Sequence, residues 1–193
     1  RTVSGIMNPA LSPDGNQLLC LMRDLTERGA PTTAIIGARD KGLLILTDEL
    51  RAVCSHLELC TDDGSAGFKG LVTERLQQLI DGDGEGDGPG RPDRVLAIGP
   101  MPMMRAVADT THDAGIETLV SMDPLMIDGT GMCGGCRITV GDEVKFACVD
   151  GPFFDAHQVD FDEAVRRNRM YADMENQAAE RQALECQASA GAA

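Results

Sequence analysis

The stretch RVLAIGPMPMMRAVADTTHDAGIETLVSM, residues 94–122, decides the fold class. Residues 94–98 form a short apolar run closed by Gly99-Pro100, the pattern of a buried strand. Residues 103–115 read as a helix with a glycine at its end, and residues 117–122 as a second strand. Strand, helix and strand in that order, with short connections, make a crossover unit whose two strands lie parallel.

The same rhythm recurs toward the N-terminus. Leu18, Leu21, Met22 and Leu25 stand at spacings of three and four within residues 15–29, and Gly29 closes a helix. Thr32 to Ile36 is a β-branched run ended by Gly37, a further buried strand. Residues 47–54 read as a short helix with Thr47 or Asp48 placed to cap it, and His56 to Cys60 as a strand. TDDGSAG, residues 61–67, is a turn. Leu71, Val72, Leu76, Leu79 and Ile80 form one stripe of a helix over residues 70–80. Alternation from about residue 15 to residue 121 predicts an α/β fold, a mostly parallel sheet with helices on both faces and ligands at the carboxyl ends of the strands. Three loops sit at such ends: residues 37–39, 61–65 and 99–104. Residues 1–15, RTVSGIMNPALSPDG, show no clear periodicity, and with Arg1 in first place they read as the start of a fragment.

Composition narrows the function classes. The 193 residues carry 31 acidic and 17 basic side chains, a net charge of -14 that excludes the usual electrostatic reader of nucleic acid. Glycine alternates with acid over residues 81–93, a segment that buries no apolar surface and predicts a mobile loop. A calcium-loop register starting at Asp81 or Asp83 places Pro92 or Arg94 where a bidentate Glu is needed. No apolar run is long enough for a membrane span and no secretory leader is recognisable, so a cytoplasmic protein is expected. Seven cysteines, an odd number without a secretory signal, argue against a disulfide framework.

The chemistry concentrates in DGTGMCGGCRITVGDEVKFACVDGP, residues 128–152. Two residues separate Cys133 from Cys136, and eleven separate Cys136 from Cys148. Residues 137–140 and 144–148 read as the arms of a hairpin turned by GDE, and the Gly134-Gly135 pair leaves backbone amides free to approach sulfur. Plant-type 2Fe-2S ferredoxins space their ligands as Cys, four residues, Cys, two residues, Cys, then a distant Cys. Asp128 occupies the first of these positions, four residues ahead of Cys133, and brings a harder oxygen donor. A cluster is the first reading of this spacing. Structural zinc, or plain thiols with Asp128 as a turn cap, are the others.

The remaining candidates read as structural. Cys20 and Cys54 fall on helical apolar faces and Cys60 ends a strand, so core packing is expected for all three. His56, His112 and His157 share no ligand spacing. Met101, Met103 and Met104 fit either a core gap or the cushion of a cofactor. Residues 161–184 read as a helix whose Ala164, Val165, Met170 and Met174 serve packing or a subunit contact.

Taken together, IIGAR, TDDGSAGFKGLVTERL, AIGPMPMMRAV, DGTGMCGGCR and FACVDGPFFDAHQVDFDE resemble the small, alpha-type subunit of NADH-dependent reduced-ferredoxin:NADP oxidoreductase, also labelled a sulfide dehydrogenase subunit. More distantly the chain resembles the electron-transfer subunit of dihydroorotate dehydrogenase. The resemblance implies a ferredoxin-reductase-type nucleotide domain over residues 1–121, a 2Fe-2S subdomain over residues 122–160, and a C-terminal helix and tail over residues 161–193. It implies a cluster held by Asp128, Cys133, Cys136 and Cys148. It also places NAD(P) against Gly37, Ala38 and Arg39, against Thr61, Asp62, Asp63, Gly64 and Ser65, and against Gly99, Pro100, Met101 and Met104. The implied partners are a larger flavoprotein and iron–sulfur subunit, similar to the glutamate synthase small subunit, and ferredoxin or another carrier. No residue is assigned a catalytic role.

Two departures from that family stand out. Its glycine-rich pyrophosphate loop is replaced by LSPDG at residues 11–15, where Pro13 lacks an amide donor and Asp14 repels phosphate. Its flavin-binding β-barrel has no counterpart in these residues, so FAD is expected only with an additional N-terminal domain. A relay between NAD(P)H, FAD and a partner through the cluster is the leading expectation, and a non-catalytic zinc-bearing interaction module is the rival.

Overall fold

A computed structural model of the chain describes residues 3–7, 16–82, 90–170, 174 and 176–182. The first half alternates β1 (Val3–Met7), α1 (Asn16–Glu27), β2 (Thr32–Ala38), α2 (Thr47–Val53), β3 (His56–Thr61), the short β4 (Phe68–Lys69) and α3 (Val72–Asp81). Then follow β5 (Arg94–Ile98), α4 (Met101–His112) and β6 (Glu117–Ser121). A second sheet is the hairpin of β7 (Arg137–Val140) and β8 (Glu143–Phe146), followed by one helical turn α5 (Ala147–Asp150), β9 (Phe153–Asp155) and α6 (Phe161–Asn168).

Seven strands form one sheet in the order β4-β3-β2-β1-β5-β6-β9, parallel throughout except where β9 runs antiparallel to β6. The expected α/β architecture is present. Successive residues of each inner strand point to opposite faces, and both faces are covered. Ile35, Val95, Ala97 and Val120 pack with Leu76, Leu79, Met104 and Val107 from α3 and α4. Ala34, Ile36, Leu96 and Ile98 pack with Leu18, Met22 and Leu50 from α1 and α2. Both layers are close to dry, since these side chains expose at most 7% of their surface.

The centre of the sheet is β1, paired with β2 from Val3↔Thr32 to Met7↔Ile36 and with β5 from Val3↔Arg94 to Met7↔Ile98. Its five residues lie inside the segment whose sequence shows no periodicity. A strand enclosed on both faces needs no polar alternation, and Ser4 and Gly5 interrupt the apolar run that would otherwise reveal it. Only pairing on both sides identifies it.

Other boundaries differ for local reasons. Thr47 already lies inside α2, and the residue before it, Leu46, takes a left-handed conformation with no side-chain cap. Leu71 falls outside α3 and is 56% exposed, while the Glu74 carboxylate accepts from its N–H at 3.0 Å. Cys20 points to solvent rather than into the core. The second hairpin arm ends at Phe146 instead of Cys148, and the two-residue turn opens on Gly141 at φ 60°, which suits the first position of a tight hairpin turn. Asp160 caps α6 by accepting from Glu163 N–H at 2.8 Å, and the chain turns at Arg169 and Met170. Met170 and Met174 are exposed, so of the two readings of their spacing core packing does not apply to them. LSPDG and most of the acidic glycine loop lie outside the described residues. No helix among the described residues is long and apolar enough to cross a membrane.

Residues 123–160 are stitched to the main sheet rather than hung from it. Besides the β6–β9 pairing, Ala156 N–H donates to Thr118 O and Met122 N–H to Pro152 O, each at 2.9 Å, while the Val140–Val159 bridge and Asp160 N–H donating to Thr139 O at 2.9 Å tie the hairpin to the segment after β9. Ile138, Ala147, Phe154 and Phe161 extend the α3–α4 core. The burial contrast within the α3 stripe is testable by urea unfolding. Leu76→Ala, at a fully buried position, is expected to cost about 2–5 kcal/mol, and Leu71→Ala less than about 0.5 kcal/mol.

Candidate functional site

The carboxyl ends of β2, β3 and β5 open on a cleft of about 360 Å³, and its lining is mostly apolar. Of the residues expected near a nucleotide, Gly37, Ala38, Arg39, Asp62 and Pro100 line it. The others build its surroundings. Thr61 Oγ1 donates to Ala66 O at 2.7 Å and accepts from Ala66 N–H at 3.0 Å, closing the turn in which Gly64 sits. Asp63 accepts from Ser65 N–H at 2.8 Å, and Ser65 Oγ accepts from Lys41 N–H at 2.8 Å, tying the turn to the end of β2. Gly99 leads β5 into Pro100, the residue before α4.

Met101 and Met104 are buried in the core, 6% and 1% exposed, and Met103 lines the cleft in their place. The helical period explains the exchange. Met101, Met104, Val107, Ala108 and Thr111 share the inward face, so Pro102, Met103 and Ala106 look outward. Gly70, Leu71, Val72 and Thr73 at the start of α3 form the other wall, which sequence spacing did not single out. Its one visible sign is Leu71, an apolar residue left exposed just ahead of the helix. A Cβ at Gly37 would overlap Val72 Cγ1, so glycine here lets α3 close over the end of β2.

The cysteine loop lies beyond the carboxyl end of β6. Asp128 organises its start, accepting from Thr130 N–H through Oδ1 and from Cys133 N–H through Oδ2, both at 2.9 Å. Gly134 takes a positive φ of 67°, and Gly135 N–H points at Cys133 Sγ at 3.4 Å. Cys136 immediately precedes β7, and Ala147 N–H donates to its carbonyl at 3.1 Å, which brings the next residue, Cys148, alongside. The Cys136 and Cys148 sulfurs stand 3.2 Å apart. Two of the four expected donors, Cys136 and Cys148, therefore form a close sulfur pair, while Asp128 reaches Cys133 through that residue's backbone N–H.

In a binuclear centre each iron takes two protein ligands, and the Cys136–Cys148 pair suits one of them. Two thiolates on one tetrahedral ion with metal–sulfur bonds of about 2.3 Å stand about 3.8 Å apart, so the Cys136–Cys148 pair needs to open only by roughly half an ångström. Asp128 retains capacity as well, because a carboxylate offers about four lone-pair sites and two are used by amides. Among the described residues no three such side chains close on a single ion. Cys136 is buried, Cys148 half-buried and Cys133 exposed, so the centre grades from protein to solvent.

Electrostatics follow this arrangement. The Thr130 N–H, helped by Cys133, holds the Asp128 carboxyl below the usual carboxylate range. The neighbouring Cys136 thiol, then burial, raises the Cys148 thiol, while the Gly131 backbone opposes the rise. Elsewhere burial pushes Cys54 up to about 11 and Cys60 up to about 12, so both are neutral core thiols at ordinary pH. His112 and His157 meet edge to face at 5.4 Å, and His157 Nε2 pairs with Thr111 Oγ1 at 3.1 Å, a packing arrangement.

Comparison with known proteins places these features in context. Residues 123–160 match the iron–sulfur cluster binding domain of dihydroorotate dehydrogenase B. The chain is 41% identical over 161 residues, 83% of its own length and 54% of the relative's, to the dihydroorotate dehydrogenase B (NAD(+)) electron transfer subunit homolog of Thermotoga maritima. It is 47% identical over 152 residues, 79% of its length and 50% of the relative's, to an uncharacterized Clostridium beijerinckii protein encoded in the adh 3′ region. A solved structure of NADH-dependent reduced ferredoxin-NADP oxidoreductase, described for flavin-based electron bifurcation, superposes with a TM-score of 0.78 at 37% identity, covering 93% of this chain and 61% of that one. The chain thus spans about half the length of the curated relatives it matches. The parallel sheet, the matched cluster domain and the identity to these relatives make the chain similar, over the residues matched, to the electron-transfer subunits of flavin and iron–sulfur oxidoreductases.

Proposed function

We propose that the chain relays electrons between a pyridine nucleotide, a flavin and a partner redox protein through a 2Fe-2S cluster held by Asp128, Cys133, Cys136 and Cys148. The observation that carries the reading is the approach of Cys148, on α5, to Cys136 at the end of the glycine-lined loop that holds Asp128 and Cys133, with the two sulfurs 3.2 Å apart. When bound, such a cluster exchanges electrons singly, whereas NAD(P)H gives up a two-electron hydride, so a flavin is the converter the relay requires. The described strands form one open sheet and one hairpin, and in this proposal FAD is held outside the residues described.

The chain's own residues supply position. The cleft at Gly37, Asp62, Pro100 and Met103 receives NAD(P), with Arg39 exposed at its rim. The end of β6 carries the cluster loop to the surface, where Leu125, Met126, Ile127, Met132 and Val149 are exposed around it. Large apolar side chains left in water around one loop mark a contact face, and we assign it to the larger flavoprotein and iron–sulfur subunit or to a ferredoxin. The zinc-module reading is not favoured, because residues 123–160 match an iron–sulfur family.

Two measurements test the proposal. Anaerobic reconstitution should yield about two irons per chain, and a paramagnetic signal on reduction. Asp128→Cys is expected to retain iron at a shifted midpoint potential and Asp128→Ala to lose it, while equal iron and equal potential in all three proteins would remove Asp128 from the ligand set. For the cleft, Met103→Glu places a carboxylate in the apolar lining assigned to the nucleotide, whose phosphates are anionic. Calorimetry on the complete oxidoreductase is expected to show NAD(P)H binding weakened by about tenfold, near 1.4 kcal/mol, with the melting temperature little changed. Unaltered affinity would move the nucleotide elsewhere.

A further inference from the structure

Arg167 is the one described arginine with a buried nitrogen that lacks a partner. Its Nε is sealed from solvent and unpaired, while its Nη2 donates to both Gly134 O and Gly135 O at 3.3 Å. These carbonyls are the back of the Cys133–Cys136 loop, whose amide face turns toward sulfur. A guanidinium brought out of water for two long hydrogen bonds, with a donor left over, is costly unless its charge serves something nearby. Its neighbour Arg166 carries the same charge and is exposed.

The fold holds Arg167 in this position from several sides. It lies in the last turn of α6, whose start is capped by Asp160 and whose Phe161 and Ala164 are buried in the core. Glu163 of the same helix accepts from Thr139 Oγ1 of β7 at 2.6 Å, fixing the helix against the hairpin. Arg167 is half-buried, and Pro124, Leu125, Ile127 and Gly135 line with it a cavity of only about 60 Å³. Water therefore screens the charge poorly on the side facing the loop.

We infer that Arg167 is a positioning residue that clamps the Cys133–Cys136 loop from behind and raises the reduction potential of the centre the loop holds. Two ferric ions, two sulfides and four anionic donors sum to a dianion, and one-electron reduction by the relay's electron donor adds another negative charge. A fixed cation behind the loop favours the more negative state, and net charge, hydrogen bonding and exposure are the levers that set such potentials. The inference rests on the iron–sulfur reading above.

The test compares the full chain with R167Q, R167K and R166Q after anaerobic reconstitution. Midpoint potential is read by resonance-monitored titration, and cluster hold by the rate of iron loss to a chelator. R167Q is expected to titrate at a more negative potential and to lose iron about tenfold faster. R167K, which keeps the charge but not the fork, is expected to hold the parental potential while losing iron at an intermediate rate. R166Q should match the parent in both. Parental behaviour of R167Q, or an equal displacement in R166Q, overturns the assignment. Should R167Q fail to fold, R167K decides: faster iron loss at the parental potential supports the clamp, and unchanged iron loss overturns it. A parent that binds no iron instead defeats the underlying reading. In that event amide exchange at Gly135 and Cys136 of the metal-free chain still reports on the clamp, rising in R167K if it exists and unchanged if it does not.

Discussion

The antiparallel pairing of β9 with β6 is the constraint on which the second half of the molecule depends. Leu119, Val120 and Ser121 pair with Asp155, Phe154 and Phe153, which closes the long excursion carrying Asp128 and the three cysteines. Three thiols and a carboxylate offer little apolar surface, so no hydrophobic driving force brings these groups together. The excursion is instead anchored at its base by the sheet, at its middle by the Val140–Val159 bridge, and beneath by Phe154 and Phe161 in the core. This base sets where the Cys136 and Cys148 sulfurs stand.

Both candidate sites share the same physical origin. In a parallel sheet every strand delivers its carboxyl end to one edge, and the connections there are free to carry function because the strands beneath are locked. The ends of β2, β3 and β5 meet at the cleft lined by Gly37, Asp62 and Pro100, and β6 runs out into the cysteine loop. Placing the two on one edge of one sheet suits a relay. The distribution of exposed apolar residues, concentrated around the loop from Leu125 to Met132, is consistent with a protein partner at the cluster end.

Much of this was legible beforehand, and particular residues show why. The strand at Thr32 to Ile36, the helix around Leu76 and Leu79, and the Cys133–Cys136–Cys148 spacing all carry local signals: β-branched runs, helical period and ligand spacing. Met101 and Met104 illustrate the limit, because a run of methionines at a strand end suits a cofactor or a core equally until the helix phase is known. Arg167 shows another kind of limit. Its neighbour Arg166 is chemically identical, and nothing along the chain distinguishes the exposed arginine from the half-buried one.

The amino-acid sequence by itself determined the α/β class, the alternation of elements from residue 15 onward and the identity of the candidate ligands, because each follows from periodicity or spacing within a few residues. Tertiary structure alone decided that Val3–Met7 is the central strand, that Phe153–Asp155 joins the sheet edge, that Met103 rather than Met101 or Met104 lines the cleft, and that Arg167 stands behind the cysteine loop. Those facts arise from pairing and packing between segments far apart in the chain, where the burial of one element depends on the position of another.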